Sequence, residues 1–368
     1  MRAAKTMNKK RKKRVTIYDL ANELQVAPST ISRALQDHFS IGRETREAVK
    51  ELARKRGYRT NTLAASLRTA KSNAIGIMVP WINRPFVSSL ISGVEAAAQE
   101  AGYNVIISQS NDSYEKEVAN VKTLLDSRVH VLLVSLAMET TDYTHLLEVE
   151  QAGTPVVYVD RVPTPLQGHR VMIDNFAAAA KATEHLLQQG CRRIALLSGA
   201  LHQEIYRERR RGYLHALERH GIAVDEDLIR VSSRLSVEEG MRIADELLHL
   251  GVPPDAIFST NDGAAVGAIK LARQRGIRIP QELAIMGFND DPVCEIIEPS
   301  LSSVTHPAAL MGRQAVLEAL RIADPEIETA FLRSSLDTEV VIRASTRRDG
   351  VVSATRKGNP WQDEQSIP

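Results

Sequence analysis

Two short hydrophobic runs at helical spacing lie within TIYDLANELQVAPSTISRALQ, residues 16–36. Thr16 stands at an N-cap position before the first run, with Asp19 three residues later, and Pro28 suits the first turn of a second helix. The pattern predicts two helices joined by a tight turn at residues 25–27. A third helix is expected from about Arg43 to Arg56, ended by Gly57, and its apolar face can close a three-helix core.

The second helix has an outer face of small hydroxyls, one arginine and one amide. Ser29, Ser32, Arg33 and Gln36 follow at i, i+3, i+4 and i+7. Such a face fits the DNA major groove, where arginine can fork onto guanine and glutamine onto adenine. An amphipathic helical hairpin with a solvated polar face shows the same spacing, so the pattern by itself leaves both interpretations open.

From Ser72 onwards, apolar runs rich in β-branched residues alternate with helical patterns. The predicted strands are AIGIMV (74–79), NVIIS (104–108), VLLVSL (131–136), VVYVD (156–160), IALLSG (194–199), AIFST (256–260) and LAIMGF (283–288). The predicted helices lie near 87–101, 114–127, 141–151, 206–220, 236–250 and 263–275. This alternation predicts doubly wound parallel α/β sheets in two lobes.

In open parallel sheets, ligands bind where the strands end. The residues after four strands are therefore site candidates, namely Pro80 to Phe86, Asp160-Arg161, Asn261-Asp262 and Asn289-Asp290. The sequence contains no Walker loop, GxSxG, HExxH or glycine-rich dinucleotide fingerprint. We therefore expect a binding site, and no enzyme activity, metal or cofactor.

Charge separates the first part of the chain from the rest. Residues 1–72 hold 18 Lys and Arg against 6 Asp and Glu, a net charge of +12, and because the whole chain is +2, residues 73–368 carry −10. A basic module on an acidic body indicates contact with phosphates. The cationic run from Lys9 to Arg14 is either a solvated tail or a further contact to the DNA backbone.

The remaining composition is that of a globular protein, with 43% hydrophobic residues in 368. No apolar run approaches the roughly 20 residues of a membrane span, and no signal peptide is expected. Cys191 and Cys294 lack metal-ligand spacing and are expected to be reduced. These features favour a cytoplasmic protein with no membrane contact.

Motifs that follow one another along the chain resemble those of the LacI/GalR family of bacterial transcription regulators. They are TIYDLA, VAPSTISRAL, Thr45-Arg46, Gly57-Tyr58, ASL (65–67), YVDR (158–161), IDN (173–175), RRRGY (209–213), TND (260–262), RIPQELAIMGFND (278–290) and PSLSSV (299–304). The resemblance covers about 15–345. It implies an N-terminal all-α helix-turn-helix domain, a hinge helix, and a two-lobed body like periplasmic sugar-binding proteins of type I, with crossovers near 161, 291 and 322.

This resemblance implies the following domains: a disordered basic arm at 1–14, a helix-turn-helix domain at 15–59, a linker with a hinge helix at 60–72, an effector-binding and dimerisation domain at 73–345, and a disordered tail at 346–368. Lobe 1 is expected at about 73–160 and 291–322, and lobe 2 at about 161–290 and 323–345.

The resemblance also assigns residues to a pseudo-palindromic double-stranded operator bound by a homodimer. Arg33 matches the guanine-reading position, and Leu67 matches a leucine that wedges into the minor groove. Their alternatives are a solvated helix residue and a minor core residue. The expected DNA-binding residues are Thr16, Pro28, Ser29, Thr30, Ser32, Arg33, Gln36, Asn61, Leu67 and Arg68.

A small-molecule effector is implied between the lobes. The expected effector-binding residues are Phe86, Asp160, Arg209, Leu235, Asn261, Asp262, Asn289 and His306. Arg209 matches the family's effector-binding arginine, a planar fork of donors. Phe86 suits the core as well as a ligand platform, Asn261 and Asp262 are also suited to cap a helix, and a structural role is the default for His306.

The chain departs from the family pattern at several positions. Gln25 and Ala27 replace the turn glycine and a capping serine. In the effector site, Asn289 replaces an aspartate, which makes an acidic sugar or sugar phosphate more tolerable than in the family norm, and Leu235 replaces an aromatic residue, which argues against a purine. We therefore expect a mono- or disaccharide, with or without a carboxylate or phosphate.

Three functions remain open on this sequence. The favoured one is a repressor of carbohydrate-utilisation genes, controlled by a sugar or sugar derivative. The others are a purine- or nucleoside-responsive regulator of the same family and a soluble sugar-binding protein with no role in gene regulation. The basic head argues against the last of these.

Overall fold

The structure is a computed structural model, and it describes residues 15–58, 73–324, 326–327 and 330–348. The chain divides into two compact units, Met1–Ser72 and Asn73–Pro368. The predicted basic arm, the linker with its hinge helix and residues 349–368 of the predicted tail lie outside the described residues.

The N-terminal unit, called the head, contains α1 (Ile17–Leu24), α2 (Pro28–Leu35) and α3 (Arg43–Arg56). Thr16 caps α1 as predicted, because Asp19 N donates to Thr16 Oγ1 over 3.3 Å and Thr16 N donates to the Asp19 carboxylate over 2.7 Å. Gln25 takes the left-handed φ of 53° that the turn requires, and Gly57 ends α3 at a φ of 64°. The three predicted helices, the turn, the Thr16 cap and the end at Gly57 are therefore confirmed.

The three helices of the head share one small core. Leu20, Ile31 and Val49 are its large fully buried side chains, one from each helix. An ion pair of 2.6 Å between Arg56 and Glu23 joins α3 to α1. The apolar sides of α1 and α2 are thereby buried, so the polar side of α2 remains on the surface.

The second unit, called the body, is built from parallel strands and helices. Its strands are β1 (Ala74–Val79), β2 (Asn104–Gln109), β3 (Val131–Val134), β4 (Val156–Val159), β5 (His169–Ile173), β6 (Ile194–Ser198), β7 (Ile229–Val231), β8 (Ala256–Ser259), β9 (Ala284–Met286), β10 (Ser303–Val304), β11 (Arg333–Leu336) and β12 (Val340–Val341). Its helices are α4 (Pro85–Glu100), α5 (Tyr114–Asp126), α6 (Thr144–Gln151), α7 (Asn175–Gln188), α8 (Glu204–Arg219), α9 (Val237–Leu248), α10 (Asp262–Gln274), α11 (Val293–Ile296) and α12 (Ala308–Ala323). The seven predicted strands and six predicted helices are all present.

Two parallel sheets define the lobes of the body. The sheet of lobe 1 has the order β11-β5-β4-β3-β1-β2, and that of lobe 2 has the order β7-β6-β8-β9. The strands β1, β3, β6 and β8 are buried along their whole length because helices cover both faces. The helix pair α4 and α12 packs on lobe 1, and the pairs α7–α8 and α9–α10 pack on lobe 2.

The chain crosses between the lobes later than predicted. The strands β5 and β11 belong to the sheet of lobe 1, so the crossovers expected near 161 and 322 need correction. The crossover expected near 291 also moves, because β10 pairs with β12 and the bridge between Met286 and Ser302 keeps this segment beside β9. RSSL of β11 has one apolar residue and is not found from the pattern, whereas β5 (HRVMI) ends in three apolar residues that the sequence analysis did not identify as a strand.

The body also extends beyond its predicted end at 345. Thr346 is fully buried and its hydroxyl lies 2.8 Å from His185 Nε2. Arg348 donates hydrogen bonds to the carbonyls of Pro280 and Asp255. Residues 346–348 are therefore part of lobe 2 and not of a disordered tail.

Both cysteines are free and buried, as expected. Within the described part of the chain, no helix has the length and apolar character needed to cross a membrane.

Candidate functional site

The helix α2 presents the polar face that the sequence predicts. Ile31 and Ala34 are buried in the head, whereas Ser29, Arg33 and Gln36 are exposed. Among the described residues, no hydrogen bond or ion pair occupies the Arg33 guanidinium. An exposed arginine with free donors on a short helix has the chemistry required to contact a base edge.

Seven of the ten predicted DNA-binding residues are described, and all seven are exposed or half-buried: Thr16, Pro28, Ser29, Thr30, Ser32, Arg33 and Gln36. The Thr16 hydroxyl is already engaged in the cap of α1. Asn61, Leu67 and Arg68 lie outside the described residues, so the hinge helix and its wedge remain predictions.

Two exposed aromatic residues of the head were missed by the sequence analysis. The side chains of Tyr18 and Phe39 are 65% and 90% exposed, and Phe39 stacks on His38 with 4.5 Å between ring centroids. Tyr18 could have been found as a large residue off the buried face of α1, and Phe39 as a large apolar residue in the turn region between α2 and α3.

A cleft between the two lobes collects side chains from the ends of both sheets. It encloses about 230 Å³, which is room for one small molecule. Seven of the eight predicted effector-binding residues line it: Phe86, Asp160, Arg209, Leu235, Asn261, Asn289 and His306. The prediction that the residues after the strands form one site agrees with this geometry.

Asp262 is the exception, and its predicted ligand role needs correction. It is fully buried, and its carboxylate accepts hydrogen bonds from Asp291 N over 2.8 Å and from Ser303 Oγ over 2.6 Å. Burial raises the pKa of this carboxyl. Asp262 therefore positions the loop that carries Asn289 and does not face the cleft.

Asn261 combines a structural role with a place in the lining. It caps α10, because Ala264 N donates to Asn261 Oδ1 over 3.0 Å. Its Nδ2 donates to the Leu235 carbonyl over 2.9 Å. One amide proton of Asn261 is left for a ligand.

Arg209 is a buried fork of donors on α8. Its Nε donates to Asn175 Oδ1 over 2.9 Å, and its Nη1 donates to the Thr260 carbonyl over 2.7 Å. The guanidinium lies 3.6 Å from the centroid of the Phe288 ring. Burial lowers the pKa of Arg209 to about 10, so the group is still charged at neutral pH. Its Nη2 has no hydrogen-bond partner among the described residues and is available to a ligand.

Asp160 and His306 form the deep end of the cleft. His306 Nε2 lies 3.7 Å from Asp160 Oδ1, and its Nδ1 lies 3.1 Å from Asn289 Oδ1. The ring of His306 also packs on Phe86, with 4.1 Å between centroids. Burial raises the pKa of Asp160, against the effect of the nearby Arg161 and Arg209. Phe86 is thus a wall of the cleft and supports His306.

The sequence analysis missed a second polar group on lobe 1, centred on Asp112. This carboxylate accepts hydrogen bonds from Trp81 Nε1 over 2.6 Å, from Met138 N over 2.9 Å and from Arg161 Nη1. Asp112 lies just after the end of β2, so the rule that ligands bind where strands end also points to this residue.

Charged residues also stand at the mouth of the cleft. Arg84 of lobe 1 donates from Nη2 to the Arg234 carbonyl of lobe 2 over 3.5 Å. Asp291 lines the same region, and burial, together with repulsion from Asp262, raises its pKa to about 7. No group of three or more His, Cys, Asp or Glu that suits a metal ion occurs among the residues that the structure describes.

Comparison with known proteins assigns a family to both units. Residues 16–61 match the family described as bacterial regulatory proteins, lacI family, and residues 183–346 match a periplasmic binding protein-like domain. The chain is 30% identical over 339 residues to the HTH-type transcriptional repressor CytR of Escherichia coli K12, covering 92% of this chain and 98% of that protein.

Two solved structures are also similar. A complex of the transcriptional regulator CelR with cellobiose aligns with a TM-score of 0.69 at 28% identity, covering 90% of this chain and all of that one. The lac repressor dimer bound to operator and the anti-inducer ONPF aligns with a TM-score of 0.81 at 24% identity, covering 91% of this chain and 99% of that one, which supports the fold.

The exposed polar face of α2 and the two-lobed body with its lined cleft agree with these matches. The chain belongs to the LacI family of bacterial transcription regulators, which bind DNA through a helix-turn-helix domain.

Proposed function

We propose that this protein is a cytoplasmic, non-enzymatic repressor whose affinity for its operator is set by a sugar or sugar derivative bound between the lobes. The observation that carries the proposal is that three polar groups lining the cleft face it without a hydrogen-bond partner among the described residues: the buried Nε2 of His306, the Asp160 carboxylate and Nη2 of Arg209. Buried polar groups without partners are costly, and a ligand rich in hydroxyls removes that cost.

A carbohydrate suits the cleft better than an apolar ligand. Arg209 Nη2 and the free protons of Asn261 and Asn289 donate, Asp160 accepts, and Trp81 and Phe86 offer apolar faces for the C–H groups of a sugar ring. The cleft therefore has flat aromatic surfaces even though Leu235 takes the place of an aromatic residue. The cellobiose complex of the similar regulator CelR supports the same ligand class.

The operator is proposed to be an inverted repeat bound by a homodimer, so that two copies of α2 enter successive major grooves. The effector acts only through its different affinities for the open and closed arrangements of the lobes.

Two measurements test this function. Electrophoretic shifts with genomic fragments should find an inverted repeat of ~14–20 base pairs, and the logarithm of the affinity should fall steeply and linearly with the logarithm of the salt concentration. A complex insensitive to salt, or a half-site bound as tightly as the repeat, would contradict the assignment to DNA.

The effector is tested by thermal shift with neutral sugars, uronates, sugar phosphates and nucleosides. A true effector raises the melting temperature of the wild type and loses most of this effect in Arg209→Ala. Arg211→Ala is the matched control, since Arg211 lies on the same helix but is exposed and paired with Glu208. A sugar shift that survives in Arg209→Ala would place the ligand elsewhere.

A further inference from the structure

The deep end of the cleft contains two neighbouring hydrogen-bond acceptors without a donor. His306 is 7% exposed and Asp160 is 8% exposed, and both line the cavity. His306 Nε2 has no hydrogen-bond partner among the described residues, and it lies 3.7 Å from Asp160 Oδ1. The two atoms are too far apart to satisfy each other, so whatever binds here meets both.

The role of each ring nitrogen of His306 follows from its neighbours. Nδ1 faces Asn289 Oδ1, an oxygen that can only accept, so Nδ1 carries the proton. Burial, and then the charge of Arg209, lower the pKa of His306 well below 6.5, so the ring is neutral and has one proton. Nε2 therefore offers a lone pair, and the Asn289 amide protons are left to face the ligand.

Few chemical groups can serve two acceptors in this position. One hydroxyl has a single proton and can satisfy only one of them. An ammonium has enough protons, but the Asp160 carboxylate already has the positive charges of Arg161 and Arg209 beside it, and these oppose a further cation in the pocket. Two hydroxyls on adjacent carbons provide one proton to each acceptor, and their oxygens can accept from Arg209 Nη2 and from the Asn289 amide.

We propose that Asp160 and His306 together bind a pair of hydroxyls on adjacent carbons of the effector, and that His306 is a specificity-determining residue that rejects analogues lacking one of them. The inference rests on the proposed function, in which this cleft holds the effector. Such a diol occurs in free sugars and in the ribose of nucleosides, and the test separates these two sources.

The test is a double-mutant cycle between protein and ligand. Calorimetry first ranks D-ribose, D-glucose, D-galactose, cellobiose, adenosine and cytidine on the full-length wild type, and then the monodeoxy derivatives of the best binder. His306→Phe keeps the ring and its packing on Phe86 but removes both nitrogens. His215→Phe is the matched control, since His215 is exposed on α8 and also packs on a phenylalanine, Phe176.

We expect His306→Phe to weaken the parent ligand by about 10- to 100-fold and His215→Phe to leave it unchanged. One deoxy derivative should have the same affinity for the wild type and for His306→Phe. The reason is that the hydroxyl missing from this ligand and the nitrogen missing from this variant form a single contact in the parent complex. The derivative lacking the adjacent hydroxyl should in turn have the same affinity for the wild type and for Asp160→Asn. His306→Gln, whose amide oxygen can accept, should recover part of the affinity.

The outcomes are distinguishable. If a sugar binds and every deoxy derivative loses the same factor in wild type and His306→Phe, the diol inference is wrong while the sugar function stands. If only ribonucleosides bind and the cycle shows coupling, the diol inference stands and the sugar function is wrong. Two-dimensional NMR of 15N-histidine-labelled protein gives an independent check, because a proton on His306 Nε2 in the free protein would overturn the inference.

Discussion

Three residues that line the cleft hold a left-handed backbone, which side chains other than glycine rarely adopt. Their φ angles are 62° at Asp160, 46° at Leu235 and 120° at Asn289. Such conformations cost on the order of 1–3 kcal/mol each and persist where the surroundings hold them. Here Asp160 N donates to the Val171 carbonyl, and Asn289 N donates to the Val304 carbonyl. The strained backbone positions therefore coincide with residues whose side chains line the cleft.

One side chain of the head, Arg33, should read one base of the operator. Arg33→Ala should cost ~1–3 kcal/mol on the cognate operator and relax selection at one guanine, because a bidentate contact has about that value. Fluorescence anisotropy with operator and random DNA measures the change. Arg43→Ala is the control, since Arg43 is exposed but paired with Glu47 over 2.8 Å. An equal loss on random DNA would make Arg33 a phosphate contact only.

Asp291 should make the stability of the body depend on pH. Its pKa is about 7 in the folded protein, above the ordinary value of 3.8. Between about pH 4 and pH 7 the unfolded chain ionises this group while the folded protein keeps it neutral, so folding loses stability as the pH rises. Asp291→Asn should therefore stabilise the body by ~1–3 kcal/mol at pH 8 and by less at pH 5.5.

Urea unfolding followed by Trp81 fluorescence measures this difference at the two pH values. The exposed Asp126→Asn should change stability equally at both. If the free energies of unfolding of Asp291→Asn and the wild type differed by the same amount at both pH values, the pKa of Asp291 would not be raised in the folded protein.

At the scale of elements, the helix pairs of the body depend on glycines. An added Cβ at Gly93 of α4 would overlap the Ala309 carbonyl at the start of α12, one at Gly212 of α8 would overlap the Phe176 carbonyl, and one at Gly240 of α9 would overlap the Ala264 carbonyl. Each glycine lets two helix backbones meet directly. The packing that holds both lobes therefore has no room for a methyl group at these points.

Gly93→Ala should destabilise lobe 1 by ~1–3 kcal/mol, although alanine is the better helix former, because α4 and α12 must move apart. The urea midpoint followed by Trp81 fluorescence should fall. Gly251→Ala is the control, since an added Cβ there meets no atom within 4 Å. Equal midpoints for the two variants would mean that the contact between α4 and α12 yields easily.

The sequence predicts the elements that form apolar runs or show clear helical spacing, and it does not predict elements that are short or whose two faces differ little in polarity. The strands β1, β3 and β4 are continuous apolar runs, so the sequence alone identifies them. β11 alternates exposed and half-buried residues in RSSL, and β10 has only two residues. Neither sequence can therefore be distinguished from that of a loop. The alanine-rich sequence of α7 has little contrast between its faces and predicts no helix, whereas α12 has ordinary helical spacing and is predictable from it.

At the scale of the whole body, the strand-end rule predicts which residues share the cleft, but tertiary contacts decide how each is used. Asp262 and Asn261 are adjacent in sequence, yet the first is buried beneath a loop and the second lines the cavity. The sequence also gives no sign that hydrogen bonds join the lobes beside the ligand site. His202 Nε2 lies 2.7 Å from the Met138 carbonyl, and Gln203 Nε2 donates to the Ala137 carbonyl over 2.9 Å.

These contacts between lobes should bias the body towards the closed arrangement. Gln203 is 2% exposed, so Gln203→Leu keeps the volume but leaves the Ala137 carbonyl without its donor, at a cost of ~1–3 kcal/mol to the closed form. Trp81 lines the cleft and reports this change once Trp361, the only other tryptophan, is replaced by phenylalanine. Acrylamide should quench Trp81 more strongly in Gln203→Leu, and any effector should bind more weakly, because the closed population is smaller. The exposed Gln274→Leu on α10 should leave both quantities unchanged. Equal quenching in the two variants would show that the lobes are held by other contacts, such as that between Arg84 and the Arg234 carbonyl.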